Sequence, residues 1–154
     1  MPTATEIADD MRASYAKGML EGMRGPVRYF ADRFESCFVP PRASDGWFDA
    51  KRLYDFQDTE HAVFQKVMPD AHLTDVTVLT RAEDQIIVVM TLTGTLRDGT
   101  AFTAPVTMVY DVRDGQIVRV AGIYDVEKLK PFQEAFEESA ATGDVPIQMT
   151  TQQA

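Results

Sequence analysis

Four side chains in this sequence combine a useful functional group with a position from which an enclosed site could use it: Tyr15, His61, Asp75 and Tyr124. Tyr15 lies on a stripe formed by Ile7, Met11 and Met19, spaced every fourth residue and so on one helical face. Its hydroxyl reads on its own as a core group satisfied internally. His61 precedes Phe64 by one turn near the start of an expected helix; it could act as general base or proton shuttle, since imidazole titrates near neutrality, or sit solvated at the helix end. Asp75 stands mid-strand between Thr74 and Val76, a buried acid if it faces inward and a solvated one if outward. Tyr124 ends the last expected strand and could donate to a ligand carbonyl or pack as a core aromatic.

Other reactive residues point to less. His72 reads as a surface residue, and the two histidines do not share a helix face or join a Cys or Glu cluster, so no metal site is expected. Cys37 is the only cysteine, which excludes an internal disulfide and suits a reducing cytoplasm. Asp49, Asp55 and Asp58 lie among Trp47, Phe48, Tyr54 and Phe56, a segment able to form a lid or simply cap a core. Glycine-rich phosphate loops and serine-nucleophile elbows are absent.

The elements that must position these groups can be read from pattern. A helix is expected from about Thr5 to Met23, capped by Thr3 or Thr5 with Glu6, Asp9 and Asp10 at its positive end. Gly25-Pro26 breaks it, and a shorter second helix turns Val27, Phe30, Ala31 and Phe34 inward. The stretch from Ser36 to Trp47, with Pro40-Pro41 and Ser44-Asp45-Gly46, allows a short edge strand and a loop. Asp58 reads as the N-cap of a third helix carrying Val63, Phe64, Val67 and Met68 inward and stopping before Pro69. A strand follows from His72 to Leu79, and a last helix runs through Leu129, Phe132 and Phe136.

Between them, two Asp-Gly pairs, Asp98-Gly99 and Asp114-Gly115, divide residues 86–124 into three strands of an antiparallel meander. With two-residue turns at both, one face carries Val88, Met90, Leu92, Pro105, Thr107, Val109, Val120, Gly122 and Tyr124. Both faces are apolar, and no charged residue occurs from Ile86 to Leu96. A sheet with one wet side would alternate apolar and charged positions, so the second face should meet another copy of the chain in a homodimer.

At 154 residues the chain is long enough for one domain with a full core, taken as residues 1–138, with a polar tail over 139–154 that is mobile or packs on a partner. A formal net charge of -9 argues against nucleic acid as a partner, because phosphate binding needs a basic face. No apolar run approaches the roughly 20 residues of a membrane span, and no secretory leader is evident. Helices followed by a run of strands is the α+β pattern: a curved antiparallel sheet wrapped around the N-terminal helices, forming a cone with an apolar pocket.

The chain resembles the nuclear-transport-factor-2-like superfamily in its SnoaL-like branch, over about Thr5 to Asp125. The most specific stretch is Val109-Tyr110-Asp111-Val112-Arg113-Asp114-Gly115-Gln116-Ile117-Val118-Arg119, continued by Ile123-Tyr124-Asp125. Tyr29-Phe30-Ala31-Asp32, Phe64 to Pro69-Asp70 and Glu83-Asp84-Gln85-Ile86 support it; all are fold motifs rather than catalytic signatures.

The resemblance implies a cofactor-independent isomerase, cyclase, dehydratase or hydrolase acting on a polyketide-, terpenoid- or steroid-like compound, or a non-catalytic binding or assembly module. It gives Tyr15 an oxyanion-stabilising role, with His61 and Asp75 as the remaining acid–base candidates. It also implies a pocket walled by Tyr15, Phe30, Phe34, Phe64, Met68, Met90, Thr107, Val120, Gly122 and Tyr124. The family's acids are missing at their usual places. The inward Asp of the hydrolase and cyclase pattern Trp-x-Asp-Tyr-x-Asp falls on Gly122 and its Trp on Val120, while the isomerase base falls near Phe38. An Arg and an Asp used by epoxide hydrolases on a central strand have no counterpart in residues 86–96. The expectation is therefore an apolar cavity with no ionisable group at the family's usual place.

Overall fold

A computed structural model describes residues 1–141. Thr3 caps the first helix, α1 (Ala4–Tyr15), through a reciprocal box: its hydroxyl accepts from the Glu6 amide at 3.2 Å while Glu6 Oε2 accepts from the Thr3 amide at 2.7 Å. The expected long helix is cut short because Gly18 takes φ 136°, a conformation that L side chains rarely adopt. A one-and-a-half-turn helix, α2 (Met19–Arg24), and a 3₁₀ turn (Gly25–Tyr29) follow.

The expected second helix through Phe34 is instead strand β1 (Phe30–Val39), and Tyr29-Phe30-Ala31-Asp32 opens that strand rather than closing a helix. The spacing of Phe30 and Phe34 fits both elements, since residues four apart share a face in helix and strand alike. A short strand, β2 (Gly46–Phe48), precedes α3 (Ala50–Val67). Asp49, not Asp58, caps α3, its carboxylate accepting from the Arg52 amide at 2.8 Å. Asp58 sits inside the helix and pairs with Arg24. Strands β3 (His72–Arg81), β4 (Gln85–Thr95), β5 (Ala101–Arg113) and β6 (Gln116–Tyr124) form the meander, and α4 (Val126–Ala141) closes the described chain. Residues 142–154 lie outside the described residues, and most of the expected tail with them.

The fold is α+β, with a curved, unclosed sheet in the order β2-β1-β6-β5-β4-β3. It is mixed rather than wholly antiparallel, because β1 runs parallel to β6. Two details set which side chains face inward. At the first Asp-Gly pair only Gly99 has positive φ (87°), and Leu96 N–H donates to Thr100 O, giving a three-residue loop. Leu92 therefore lies opposite Ala104 and Met90 opposite Val106, one residue from the two-residue register. The second turn is the expected two-residue one, with Asp114 at φ 52° and Gly115 at φ 74°. A register shift between Asp111 and Val112 then moves Val120 opposite Tyr110 and Gly122 opposite Met108.

The two offsets cancel between β4 and β6 and leave β5 reversed. Val106, Met108 and Tyr110 face inward with Met90, Leu92, Val120 and Gly122. Pro105, Thr107 and Val109 lie on the outer face, contrary to expectation.

Two apolar clusters fill the interior. One joins α1, β1 and the sheet through Ile7, Met11, Phe34, Ile86, Val88 and Ile117. The other joins α3, α4 and the distal ends of β4 and β5 through Val67, Met68, Phe102, Leu129 and Phe136. Between them the packing leaves an opening.

Candidate active site

That opening is a cavity of about 190 Å³ walled by the sheet on one side and by α1, α2, α3 and α4 on the other. Its apolar lining includes Met19, Phe30, Phe56, Met90, Met108 and Phe132. Of the wall expected from sequence, Tyr15, Phe30, Phe64, Met90, Val120, Gly122 and Tyr124 line it. Phe34 and Met68 do not: each is fully buried in one of the flanking clusters. Thr107 fails because β5 is reversed.

The usual place is empty of acid, as expected, but the expected apolar hollow is overturned by ionisable groups elsewhere on its wall. Glu60 and Arg42 both line it. Glu60 sits on α3 three residues after Gln57 and four before Phe64, so its side chain shares the inward helix face with Leu53, Phe56 and Val63. It makes no hydrogen bond or ion pair among the described residues. Removal from water disfavours its charged form and outweighs the attraction of Arg42, so its pKa is pushed up from 4.5 to about 7. A carboxyl poised there can accept or donate a proton at neutral pH.

Facing Glu60 are two tyrosines on different elements. Tyr15 ends α1, its ring packed over Gly22, where any Cβ would come within 2.1 Å of the Tyr15 ring. Tyr110 comes from the centre of the sheet. Burial raises the Tyr15 pKa to about 12 and that of Tyr110 well above its usual value, and the nearby Glu60 charge adds to both. The two hydroxyls interact with each other, which partly relieves Tyr15 and raises Tyr110 further. The Tyr15 side chain lines the cavity, where its hydroxyl can donate to a ligand. Both hydroxyls remain neutral donors throughout the physiological range.

Arg42 enters from the loop between β1 and β2. Its guanidinium lies 4.2 Å from the Phe38 ring centroid and 4.7 Å from that of Tyr124. The Tyr124 hydroxyl, which sequence reading offered to a ligand, donates instead to the Pro40 carbonyl at 3.1 Å. Three further polar atoms among the lining residues are enclosed without a hydrogen-bond partner among the described residues: Arg42 Nε, Gln57 Oε1 and Gln133 Nε2. Gln57 holds its other end by donating Nε2 to Met23 O at 3.0 Å.

The two places where the resemblance put an acid turn out to be one place. Phe38 and Gly122 are cross-strand partners on β1 and β6. The Phe38 ring occupies the space above Gly122, where a Cβ would lie 2.7 Å from its Cδ1 and Cε1. No side chain fits at residue 122 unless that ring moves. The remaining acid–base candidates lie outside the cavity. His61 follows Glu60 on the exposed side of α3, and Asp75 is exposed at a bulge in β3 with φ 53°.

Glu60 carried a readable signal: Leu53, Phe56, Gln57, Glu60, Val63, Phe64 and Val67 recur at three- and four-residue intervals. Starting the helix at Asp58 cut that stripe in half. Arg42 carried none, because its placement depends on a loop seated by the fold.

No protein-family model and no curated protein matches the chain. Solved structures do. A nuclear-transport-factor-2-like protein from Burkholderia thailandensis aligns with 85% of this chain and 97% of its own at 20% identity and a TM-score of 0.64. A candidate polyketide cyclase from Pseudomonas putida aligns with 83% of this chain and 96% of its own at 15% identity and a TM-score of 0.60. A candidate isomerase from Bacillus subtilis aligns with 86% and 94% at 23% identity and a TM-score of 0.59. The chain has the nuclear-transport-factor-2-like fold.

Proposed function

We propose that the protein catalyses a cofactor-independent proton transfer on a small hydrophobic carbonyl compound, in an isomerisation, cyclisation or dehydration. The observation that carries this reading is Glu60: a carboxyl without a hydrogen-bond partner among the described residues, in a largely apolar cavity, with a pKa of about 7. In the reaction, ionised Glu60 removes a proton from a carbon next to the carbonyl. The Tyr15 hydroxyl, beside that of Tyr110, donates to the oxygen that gains negative charge. Protonated Glu60 then returns the proton to a second carbon or to a leaving hydroxyl. Similarity to proteins described as a polyketide cyclase and an isomerase is consistent with this chemistry.

The test is turnover of a panel of cyclic enones and aryl polyketide mimics. Glu60→Gln keeps the shape of the side chain and removes the base, and should lower kcat by about 10²- to 10⁴-fold. Wild-type kcat/KM should rise with pH through an ionisation near 7 that the variant lacks. Equal turnover by the two proteins would leave non-catalytic ligand binding as the role of the cavity.

We also propose a homodimer through the outer sheet face, in the reducing cytoplasm that a lone cysteine suits. Leu79, Ile87, Val109, Ala121 and Cys37 form one row across five strands, and Thr77, Val89, Thr107, Ile123 and Val39 the next. Val39, Leu79, Val89 and Ile123 are 53%, 50%, 40% and 42% exposed, an apolar surface that association would cover. Glu35, Arg119, Asp111 and Gln85 form a polar row beside it. Sedimentation should give a dimer for the wild type and a monomer for Val89→Asp/Ile123→Asp. Among the described residues, no helix is long and apolar enough to cross a membrane.

A further inference from the structure

Arg42 is an unusual wall residue for an apolar cavity. It takes part in none of the ion pairs found among the described residues, and its Nε is enclosed with no hydrogen-bond partner there. Asp45 does not neutralise it by contact; its Oδ2 instead accepts from the Arg42 backbone amide at 3.2 Å. The Asp45 amide in turn donates to Arg42 O at 3.1 Å, so the backbone beneath the side chain is fixed from both directions. The guanidinium is set against Phe38 and Tyr124, and Tyr124 is tied to the same loop through Pro40. Thus a permanently charged, preorganised donor fork opens on a site whose one carboxyl among the described residues, Glu60, is not in ion-pair contact with it. Burying such a cation beside hydrocarbon is unfavourable unless an anion joins it. A planar carboxylate suits it, because the guanidinium can donate two parallel hydrogen bonds.

We propose that the cavity selects small hydrophobic molecules bearing an ionised carboxylate, which pairs with Arg42 while the apolar body extends toward Glu60 and Tyr15. This deepens the proton-transfer reading and rests on it: the carboxylate anchors one end and leaves the reactive carbon near the base. The rest of the protein, at a net charge of -9, repels such ligands, so Arg42 has to supply the attraction.

The test compares 2-naphthoate with its neutral isostere 2-naphthamide by calorimetry at about pH 6, below the Glu60 pKa of about 7, where that carboxyl is mostly uncharged. Wild type should bind the acid at least about tenfold more tightly than the amide. Arg42→Met keeps the stem on the aromatic rings and should reduce the preference to less than about twofold, while Arg42→Lys, keeping charge without the fork, should retain part of it. Amide binding to Arg42→Met would show that the cavity is intact in that variant. A wild type that binds both probes equally, or an Arg42→Met that keeps the preference, overturns the carboxylate inference and leaves the proton-transfer reading standing. If neither probe binds the wild type, both fall together.

Discussion

The two walls of the cavity are built from different chemistry. The sheet contributes Met90, Leu92, Val106, Met108, Val120 and Gly122, with hydroxyls from Ser36, Tyr110 and Tyr124 and no ionisable carboxyl. The helical wall contributes Glu60, Gln57, Gln133 and Tyr15 among its apolar residues. The sheet therefore sets the shape, and the helices supply the acid and both side-chain amides. This division follows from packing. Cross-strand pairing fixes Phe38 over Gly122, so the sheet has no room for a carboxyl there. A residue on α3 faces no such neighbour and can project into the open space.

The largest effect expected from breaking this asymmetry is on stability as a function of pH. The Glu60 pKa is higher folded (about 7) than unfolded (4.5), so the folded state holds more protons between these values. The stability that protonated Glu60 contributes is complete below about pH 4.5 and is lost as pH rises through 7, by up to about 3 kcal/mol. Chemical denaturation of wild type and Glu60→Gln at a series of pH values should show the difference. The variant should match the wild type near pH 5 and exceed it by up to that amount at pH 8. Parallel curves would place the Glu60 carboxyl in water.

The second effect belongs to the sheet wall. Gly122→Ala forces the Phe38 ring aside and should cost about 1–3 kcal/mol. In a Phe38→Leu background, where the ring is gone, the same change should cost less than about 0.5 kcal/mol. Equal costs in both backgrounds would mean that the ring does not occupy that space.

The contrast also explains which parts were legible in the sequence. The meander, a threonine cap on α1 at residue 3 or 5 and the end of α3 before Pro69 could be read because local chemistry dictates them: turn residues, a capping hydroxyl, a missing amide proton. The inward face of β5 could not. It depends on whether Asp98-Gly99 closes a two- or a three-residue loop and on the register shift at Asp111, each of which moves a strand by one residue. Glu60 was accessible in principle, as a polar residue in phase with an apolar stripe, yet only once α3 is extended back to Ala50. The parallel pairing of β1 with β6, which seats Arg42, is set by distant contacts that no local pattern encodes.

The tyrosine pair joins the two walls and should show coupling. Tyr15→Phe removes the hydroxyl that interacts with buried Tyr110, at a cost of about 1–2 kcal/mol. Tyr110→Phe should cost a similar amount. The double variant should cost less than the two added together, by about 0.5–1.5 kcal/mol in a denaturation cycle. Strict additivity would mean that the hydroxyls do not meet.

The smallest effects separate the cavity from the surface. His61 is adjacent to Glu60 in sequence, but successive helix residues point about 100° apart, which turns its ring to solvent while Glu60 faces inward. Asp75 occupies a left-handed position that Asn tolerates nearly as well as Asp. His61→Ala and Asp75→Asn should each alter stability by less than about 0.5 kcal/mol and leave turnover within about twofold of wild type. A large loss of turnover in His61→Ala, with Glu60→Gln still active, would transfer the proton-transfer role to the outer face of α3, since two neighbours on one helix cannot both reach the same enclosed substrate.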